Sequence, residues 1–395
     1  MVYNKCIEIV DILQNSDNLY KEIFMAGYIF SVGKDNDILE VMKQGVFSTN
    51  FKSIKNHWST QQEGTIADYM TMKENDNIYF FQNRKIYGIA KLKKIKLDVK
   101  LLNFPKADLP EIYMTKDLKD KVIYNFESNF ENYRVLITFE GYPYIFLEGV
   151  DMDEILSSNP KEFRNLRAFW KLSFIKVDDA ENNALFDIIL KKNEFNFINQ
   201  KNTVKISTIY HDRIKKIVDE NYKLESKMFI DSCVENNKIK HEMALEIGVL
   251  DLIQNSDTIF GKWDYLSHQV IASPFKPIDY MDKMDIFGYK FIKGFKTISK
   301  YLMIEIKSGN ATIEVLNQAM KYVDWIESEY SHDYEMIEAF IVAKEFNEEV
   351  IEAKNNIARR MYTVGRNPVL TKEWVNLTLI QYKYLNGELQ FNKVE

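Results

Sequence analysis

The sequence predicts a mixed α+β protein in two parts: a β-rich first half, then a half in which helices and strands alternate. Three observations carry this. Apolar runs of strand length, bounded by turn residues, recur from Ala26 to Ile175. From about Lys240 onward, helical periodicity alternates with short apolar runs, the pattern of a layered α/β domain. Between them lies the polar stretch NEFNFINQKNTVK, which places a boundary near 195–205 and divides the chain into 1–200 and 201–395.

A chain of 395 residues can hold two separate cores. Hydrophobic residues at 46% and charged residues at 28% fit a globular protein in water. With 14 Gly and 7 Pro, little of the chain is linker. No apolar run reaches membrane-spanning length, so no membrane partner is expected. The opening MVYNKCIEIVDILQNSD carries acids within its apolar stretch and lacks the shape of a signal peptide, which implies a cytoplasmic protein. Cys6 and Cys233 are too few for a disulfide framework, and no CxxC is present. The net charge of −6 excludes a protein coated in positive charge for nucleic acid, but leaves room for a local basic groove. No arginine occurs between Arg213 and Arg359, so phosphate contacts there must come from lysine or a metal.

Taken in order, residues 1–20 read as a short helix, Ala26 to Val32 as a strand and Asp37 to Gln44 as a helix. Asn77 to Phe81 and Ile86 to Leu92 read as a hairpin around the turn Gln82-Asn83-Arg84-Lys85. Strands follow at Arg134 to Phe139 and Tyr144 to Leu147, and NLRAFWKLSFI (Asn165 to Ile175) closes this half. Helical pieces are expected at Ala184 to Leu190, Asp212 to Asp219 and Lys240 to Gln254. The remaining order is strand Tyr280 to Tyr289, strand Tyr301 to Ile306, helix Ile313 to Tyr330, strand Ile337 to Ala343, helix Glu348 to Arg360 and strand Leu377 to Tyr384.

The stretch Tyr301 to Trp325 carries the chemistry. On a strand, Glu305 and Lys307 point to one face while Ile304 and Ile306 point to the other. A carboxylate and a lysine are thereby held side by side just before the small turn Ser308 to Asn310, and burying such a pair is costly. Asp285 from the preceding strand and Glu246 from the preceding helix could join them. Oxygen ligands of this kind suit Mg²⁺, which acidifies a bound water and neutralises a phosphate. Lys307 would orient or activate that water. Gln318 and Tyr322, four apart on one helical face, could support the site. Asp282 competes with Asp285, and Glu242 with Glu246. The ordinary alternative is an exposed ion pair at a sheet edge. No glycine-rich phosphate loop is present, HEMAL lacks the second histidine of a zinc protease, and the five histidines are scattered.

The set Glu246 in MALEIGVL, Asp285 in KMDIFG, Glu305-Ile306-Lys307 in MIEIKSG and Gln318 with Tyr322 in NQAMKY resembles the PD-(D/E)xK nuclease superfamily, in particular its RecB-like and restriction-endonuclease-like members. The resemblance spans roughly residues 240–345, and no proline directly precedes Asp285. It implies a mixed sheet flanked by helices and a Mg²⁺-dependent DNA endonuclease, with Mn²⁺ able to substitute. Asp285, Glu305 and Glu246 would meet the metal, and Lys307 and Gln318 would complete the catalytic set. The first half, through Trp58, the strand start ENDNIYFF and the return IYGIAKL, resembles the EVE branch of the PUA-like superfamily, related to YTH domains. That resemblance implies a small β-barrel that holds a flipped, modified base. Trp58, Tyr69, Phe81 and Tyr87 would offer ring faces, and Gln61, Asp68 and Asn83 would offer edge contacts. Arg84, Arg164 and Arg167 would hold phosphates. The bland reading of these aromatics is core packing.

Together these imply a restriction or phage-defence endonuclease with DNA as partner and, for cutting both strands, a homodimer. The alternatives are a catalytically idle nucleic-acid-binding protein that serves partners, and a repair nuclease acting on single strands.

Overall fold

The computed structural model describes residues 26–50, 60–104, 122–124, 134–164, 166, 173–231, 233–236, 238–273 and 281–394. Its first sheet is built from β1 (Gly27–Ser31), β2 (Val46–Asn50), β3 (Asn77–Gln82), β4 (Lys85–Leu92), β5 (Lys100–Leu102), β6 (Arg134–Gly141), β8 (Val150–Asp151) and β9 (Phe174–Val177). A short strand β7 (Ile145–Phe146) lies between β6 and β8. The strand order is β2-β6-β4-β3-β1-β9, with β5 on β6 and β8 on β4. This sheet curls into a half-barrel. Among the described residues its end strands β2 and β9 do not pair, so backbone hydrogen bonds between them do not close the barrel expected from the sequence. Side chains span the gap instead. Thr49 Oγ1 donates to Ser173 Oγ at 3.1 Å, and the Phe47 and Phe174 rings lie 5.8 Å apart. Phe30, Phe80, Phe139 and Tyr69 fill the interior with them. Such rings bury large apolar areas and favour edge-to-face contacts, as Phe30 and Phe80 show at 87°.

Two helices of this half were placed from sequence close to where they occur. Helix α1 (Ile38–Lys43) starts at Asp37, whose carboxylate accepts the Leu39 N–H. Helix α2 (Thr60–Thr71) was not anticipated. Its weak amphipathicity has a structural cause: Ile66, Ala67, Tyr69 and Met70 are all buried, because the helix is enclosed between the barrel and the second half. After the short α3 (Met152–Ser158) come α4 (Asp179–Lys192), capped by Asp178, and α5 (Glu194–Asn199).

The division expected at 200/201 is crossed by the chain. β10 (Thr203–Val204) pairs with β7, and α6 (Ile209–Ile217) places Ile214 in a cluster with Val46 and Leu136. The second half begins beyond these, with α7 (Lys227–Asp231), β11 (Val234–Glu235), β12 (Lys238–Ile239) and α8 (Glu242–Asn255).

Its sheet has the order β13-β14-β15-β16-β19-β20. Strands β13 (Tyr265–Ile271), β14 (Lys283–Phe291) and β15 (Ile298–Ile306) form an antiparallel meander. Helix α9 (Ile313–Ile326) then crosses over to β16 (Ile337–Ala343), which lies parallel to β15. Helix α10 (Glu348–Ile357) and a β17–β18 hairpin (Arg360–Val364 and Leu370–Trp374) lead to β19 (Leu377–Leu385), parallel to β16. β20 (Glu388–Val394) closes the edge antiparallel to β19. The protein is thus a mixed α+β fold with several sheets.

The two sheets remain separate, but the cores do not. One hydrophobic cluster holds Phe30, Tyr69 and Ile66 together with Leu245, Val249, Ile304 and Ile306. Helix α8 is buried nearly all round, as a helix pressed between two layers must be. Gly248 on α8 lets Ile230 and Leu389 of the same half pack close: a Cβ there would meet Leu389 Cδ1 at 2.5 Å and Ile230 Cδ1 at 2.6 Å. The other face of β15, through Tyr301 and Met303, packs on Leu316, Ala319 and Tyr322 of α9 in a second cluster.

Candidate active site

The strand parity of β15 delivers the site. Leu302, Ile304 and Ile306 face the core shared with α8, so Glu305 falls on the α9 face at the C-terminal end of the strand. The antiparallel ladder pairs Ile286 with Ile304, and Asp285 lies one step beyond it, beside Glu305. Asp285 Oδ2 accepts the Ile306 N–H at 2.7 Å, and its Oδ1 accepts from Gln269 Nε2 at 3.1 Å. Glu305 is fully buried, and its Oε2 has no hydrogen-bond partner among the described residues. Lys307 Nζ is 2.9 Å from Glu305 Oε1, a close ion pair.

Electrostatics follow from this enclosure. Burial, reinforced by the charge of Asp285 and opposed by Lys307, pushes Glu305 up to about 8. Burial also lifts Asp285 to about 6, against the Ile306 N–H, which favours its ionised form. Glu246 on α8 is 2% exposed and is raised to about 7, again chiefly by burial. The Lys307 ammonium is desolvated, yet Glu305 and Asp285 hold its pKa above the usual lysine value. Three carboxylates that resist ionisation around one lysine form a site short of positive charge.

The turn after β15 is held from several sides. Glu242 Oε1 accepts the Ser308 N–H at 3.2 Å, and Glu242 Oε2 is 3.7 Å from Lys307 Nζ. Tyr382 donates to Ser308 O at 2.6 Å, and Lys307 N–H donates to Val342 O at 2.8 Å. On α9, Gln318 Nε2 donates to the Tyr322 hydroxyl at 2.9 Å. Burial and the charges of Glu305 and Asp285 raise Tyr322 to about 12, which places its hydroxyl in the field of the carboxylates.

The contacts separate the members of the two rival pairs. Asp282 is drawn away by Lys321 at 2.7 Å, so Asp285 is the carboxylate beside Glu305. Glu242 guards the turn, whereas Glu246 lies inside and reaches Asp285 through a shared donor, Gln269 (3.5 and 3.1 Å). The sequence reading missed Gln269 and His268, because it placed no strand at Tyr265 to Ile271. The adjacent polar pair inside the apolar run YLSHQVIA was the available signal. Gln269 has φ +50°, left-handed for a residue with a Cβ, at the point where the ladder steps from His268–Ile286 to Val270–Met284. Backbone held in that region is concentrated at functional sites.

Among the described residues, no group of three or more His, Cys, Asp or Glu is disposed to hold a metal ion. The donor chemistry nevertheless fits a hard divalent cation. Asp285 and Glu305 are adjacent oxygen donors, and Glu305 Oε2 is a buried acceptor that a cation would satisfy. Mg²⁺ commonly takes one or two carboxylates and fills its shell with water and phosphate.

Of the residues expected in the base pocket, Tyr69 and Asp68 are turned away from it by their contacts. The Tyr69 ring stacks on Phe174 in the core, and its hydroxyl donates to Leu101 O and Leu136 O, both at 3.0 Å. Its faces are therefore unavailable to a base, and the correction is that a large ring on an enclosed helix packs inward. Asp68 is also buried and faces His268 rather than the barrel mouth. Asn83 and Arg84 occupy the exposed β3–β4 turn with positive φ, and Arg84 pairs with Asp153 at 2.7 Å. Phe81 and Tyr87 are half-buried against the core. Arg164 lies 5.3 Å from the Tyr330 ring of the second half. Trp58, Arg167 and the side chain of Gln61 lie outside the described residues.

No family model matches the chain, and no curated protein matches it. Among solved structures, a hypothetical protein from Leishmania major aligns at 15% identity, covering 44% of this chain and 97% of its own. Its TM-score of 0.26 is too low to carry an argument. No helix among the described residues is long and apolar enough to cross a membrane.

Proposed function

We propose that the chain is a Mg²⁺-dependent nuclease that cleaves DNA internally, of a restriction or phage-defence kind. One observation carries the reading. Asp285 and Glu305 come from adjacent antiparallel strands and meet Lys307 at the end of the sheet, with Glu305 fully buried and its Oε2 without a partner among the described residues. The order α8-β13-β14-β15-α9-β16 supports the reading, because it carries these groups in the succession that the PD-(D/E)xK resemblance implies.

In this reading Asp285 and Glu305 hold the metal, and Glu246 supports it through Gln269. When bound, the ion acidifies a water and neutralises charge on the phosphate. The residues of the chain supply the remainder. Lys307 orients the attacking water and keeps a positive charge beside the carboxylates. Gln318 and Tyr322 wall the site from α9. Glu242 steadies the turn that carries Lys307.

The half-barrel is proposed to select the target through a flipped and modified base, with Trp58, Phe81, Tyr87 and Asn83 as its candidate contacts. Two copies related by a two-fold axis would cut both strands. The test is digestion of modified and unmodified duplexes with Mg²⁺, Mn²⁺ or EDTA. Metal-dependent cutting that favours one modification supports the reading, and intact DNA under every condition removes it.

A second reading, an idle nuclease fold that recognises nucleic acid for partner proteins, draws on the absence of a three-ligand group among the described residues. DNA binding without Mn²⁺ binding or cleavage would favour it.

A further inference from the structure

The apolar interface between the half-barrel and the second half is crossed by a chain of polar side chains. Asp68, on α2 of the first half, is 4% exposed, and its Oδ1 lies 3.4 Å from Nε2 of His268 on β13. The other ring nitrogen of His268 is 3.4 Å from Oε1 of Glu246 on α8. Gln269, the next residue, reaches both Glu246 Oε2 and Asp285 Oδ1. Around this chain lie Ile66, Ala67, Met70, Leu245, Val249 and Ile304. Such a line has a reason to exist only if its members act on one another, because each buried polar group costs free energy when its partners are removed.

We propose that Asp68 and His268 form a clamp by which the first half sets the position of Glu246, and through Gln269 that of Asp285. The proposal rests on the nuclease reading. His268 touches neither water nor phosphate in it and is a positioning residue. Three features support the assignment. His268 is caught between carboxylates of two different halves. His268 Nδ1 faces Glu246 Oε1 at 3.4 Å, and neither atom has another hydrogen-bond partner among the described residues. Gln269 adopts its left-handed backbone immediately beside His268, which turns its amide toward both acids. The catalytic half is therefore incomplete by itself: a carboxylate from the half-barrel finishes its support.

A consequence is that the module that selects DNA is mechanically joined to the centre that cuts it. A shift of α2 would move Asp68 and release His268, so Glu246 and Asp285 would lose their alignment. Groups that hold a ligand-bearing side chain commonly change metal affinity or activity by 10–100-fold when removed.

The experiment is a double-mutant cycle on the full chain, with Asp68→Asn and Glu246→Gln made singly and together. It is read by Mn²⁺ calorimetry and by thermal unfolding in EDTA. Asp68→Asn should weaken Mn²⁺ binding by roughly 10-fold, and the same change in the Glu246→Gln background should have little further effect. Asp68→Glu, which keeps the charge, should recover part of the loss. Unfolding in EDTA should show the same non-additivity without any metal. Additive effects in both readouts, with normal Mn²⁺ binding by the wild type, overturn the clamp alone. Absence of Mn²⁺ binding by the wild type overturns the nuclease reading, and the positioning role with it.

Discussion

Asp285 Oδ2 accepts the Ile306 N–H at 2.7 Å, which fastens a carboxylate on β14 to the residue that follows Glu305 on β15. Two acids are thus fixed side by side by the strand ladder itself. Asp285→Asn keeps an oxygen acceptor for Ile306 but removes the charge. It should leave the melting temperature nearly unchanged and lower cleavage by roughly 10²-fold or more, the scale of losing a charge-stabilising group in a preorganised site. Cleavage assays and thermal melts on the same preparation check both halves of this expectation.

Lys307 sits within 2.9 Å of Glu305 and 3.7 Å of Glu242 but ligates nothing. Lys307→Ala should abolish turnover while Mn²⁺ and DNA affinity stay close to those of the wild type. Normal cleavage by this variant would show that its catalytic assignment is wrong.

Stability should depend on pH in a definite direction. Glu305, Glu246 and Asp285 have folded pKa values raised to about 8, 7 and 6. Between about pH 5 and 7 the folded state retains protons that the unfolded chain releases, so rising pH favours unfolding. Each net proton corresponds to about 1.4 kcal/mol per pH unit. His268, raised to about 10 against its own burial by Asp68 and Glu246, gives stability that is fully present below pH 6.5 and lost as pH rises further. Both effects act in the same direction. Melts in EDTA should fall from pH 5 to 7, and added Mg²⁺ should flatten the slope by favouring the ionised carboxylates. A melting temperature that rises over this range would contradict the burial argument.

Tyr69→Phe tests the reassignment of that residue from base pocket to core. Its hydroxyl satisfies two buried carbonyls, so its loss should destabilise the fold by about 1–2 kcal/mol. Preference among DNA substrates should not change. A lost preference with an unchanged melting temperature would return Tyr69 to the pocket.

Much of the second half could be read from the sequence because its signals are local. The end of β15 alternates through Ile304, Glu305, Ile306 and Lys307, α9 keeps a 3.6 period, and β16 is a nearly continuous apolar run. What could not be read is where neighbours override local pattern. Helix α2 hides its amphipathicity because both its faces are covered. β13 carries His268 and Gln269, whose partners Asp68, Glu246 and Asp285 are distant in sequence. The 200/201 boundary followed composition, whereas β10 and α6 pack back on the first half.

The central claim is that Glu305 is a metal-holding carboxylate of a nuclease. The most direct measurement is single-turnover cleavage of duplex DNA by the wild type and by Glu305→Gln, in Mg²⁺ and in EDTA, with folding confirmed by circular dichroism. The account predicts cutting by the wild type in Mg²⁺ alone and none by the folded Glu305→Gln protein. Equal cutting by the two proteins, or cutting by the wild type in EDTA, would contradict it.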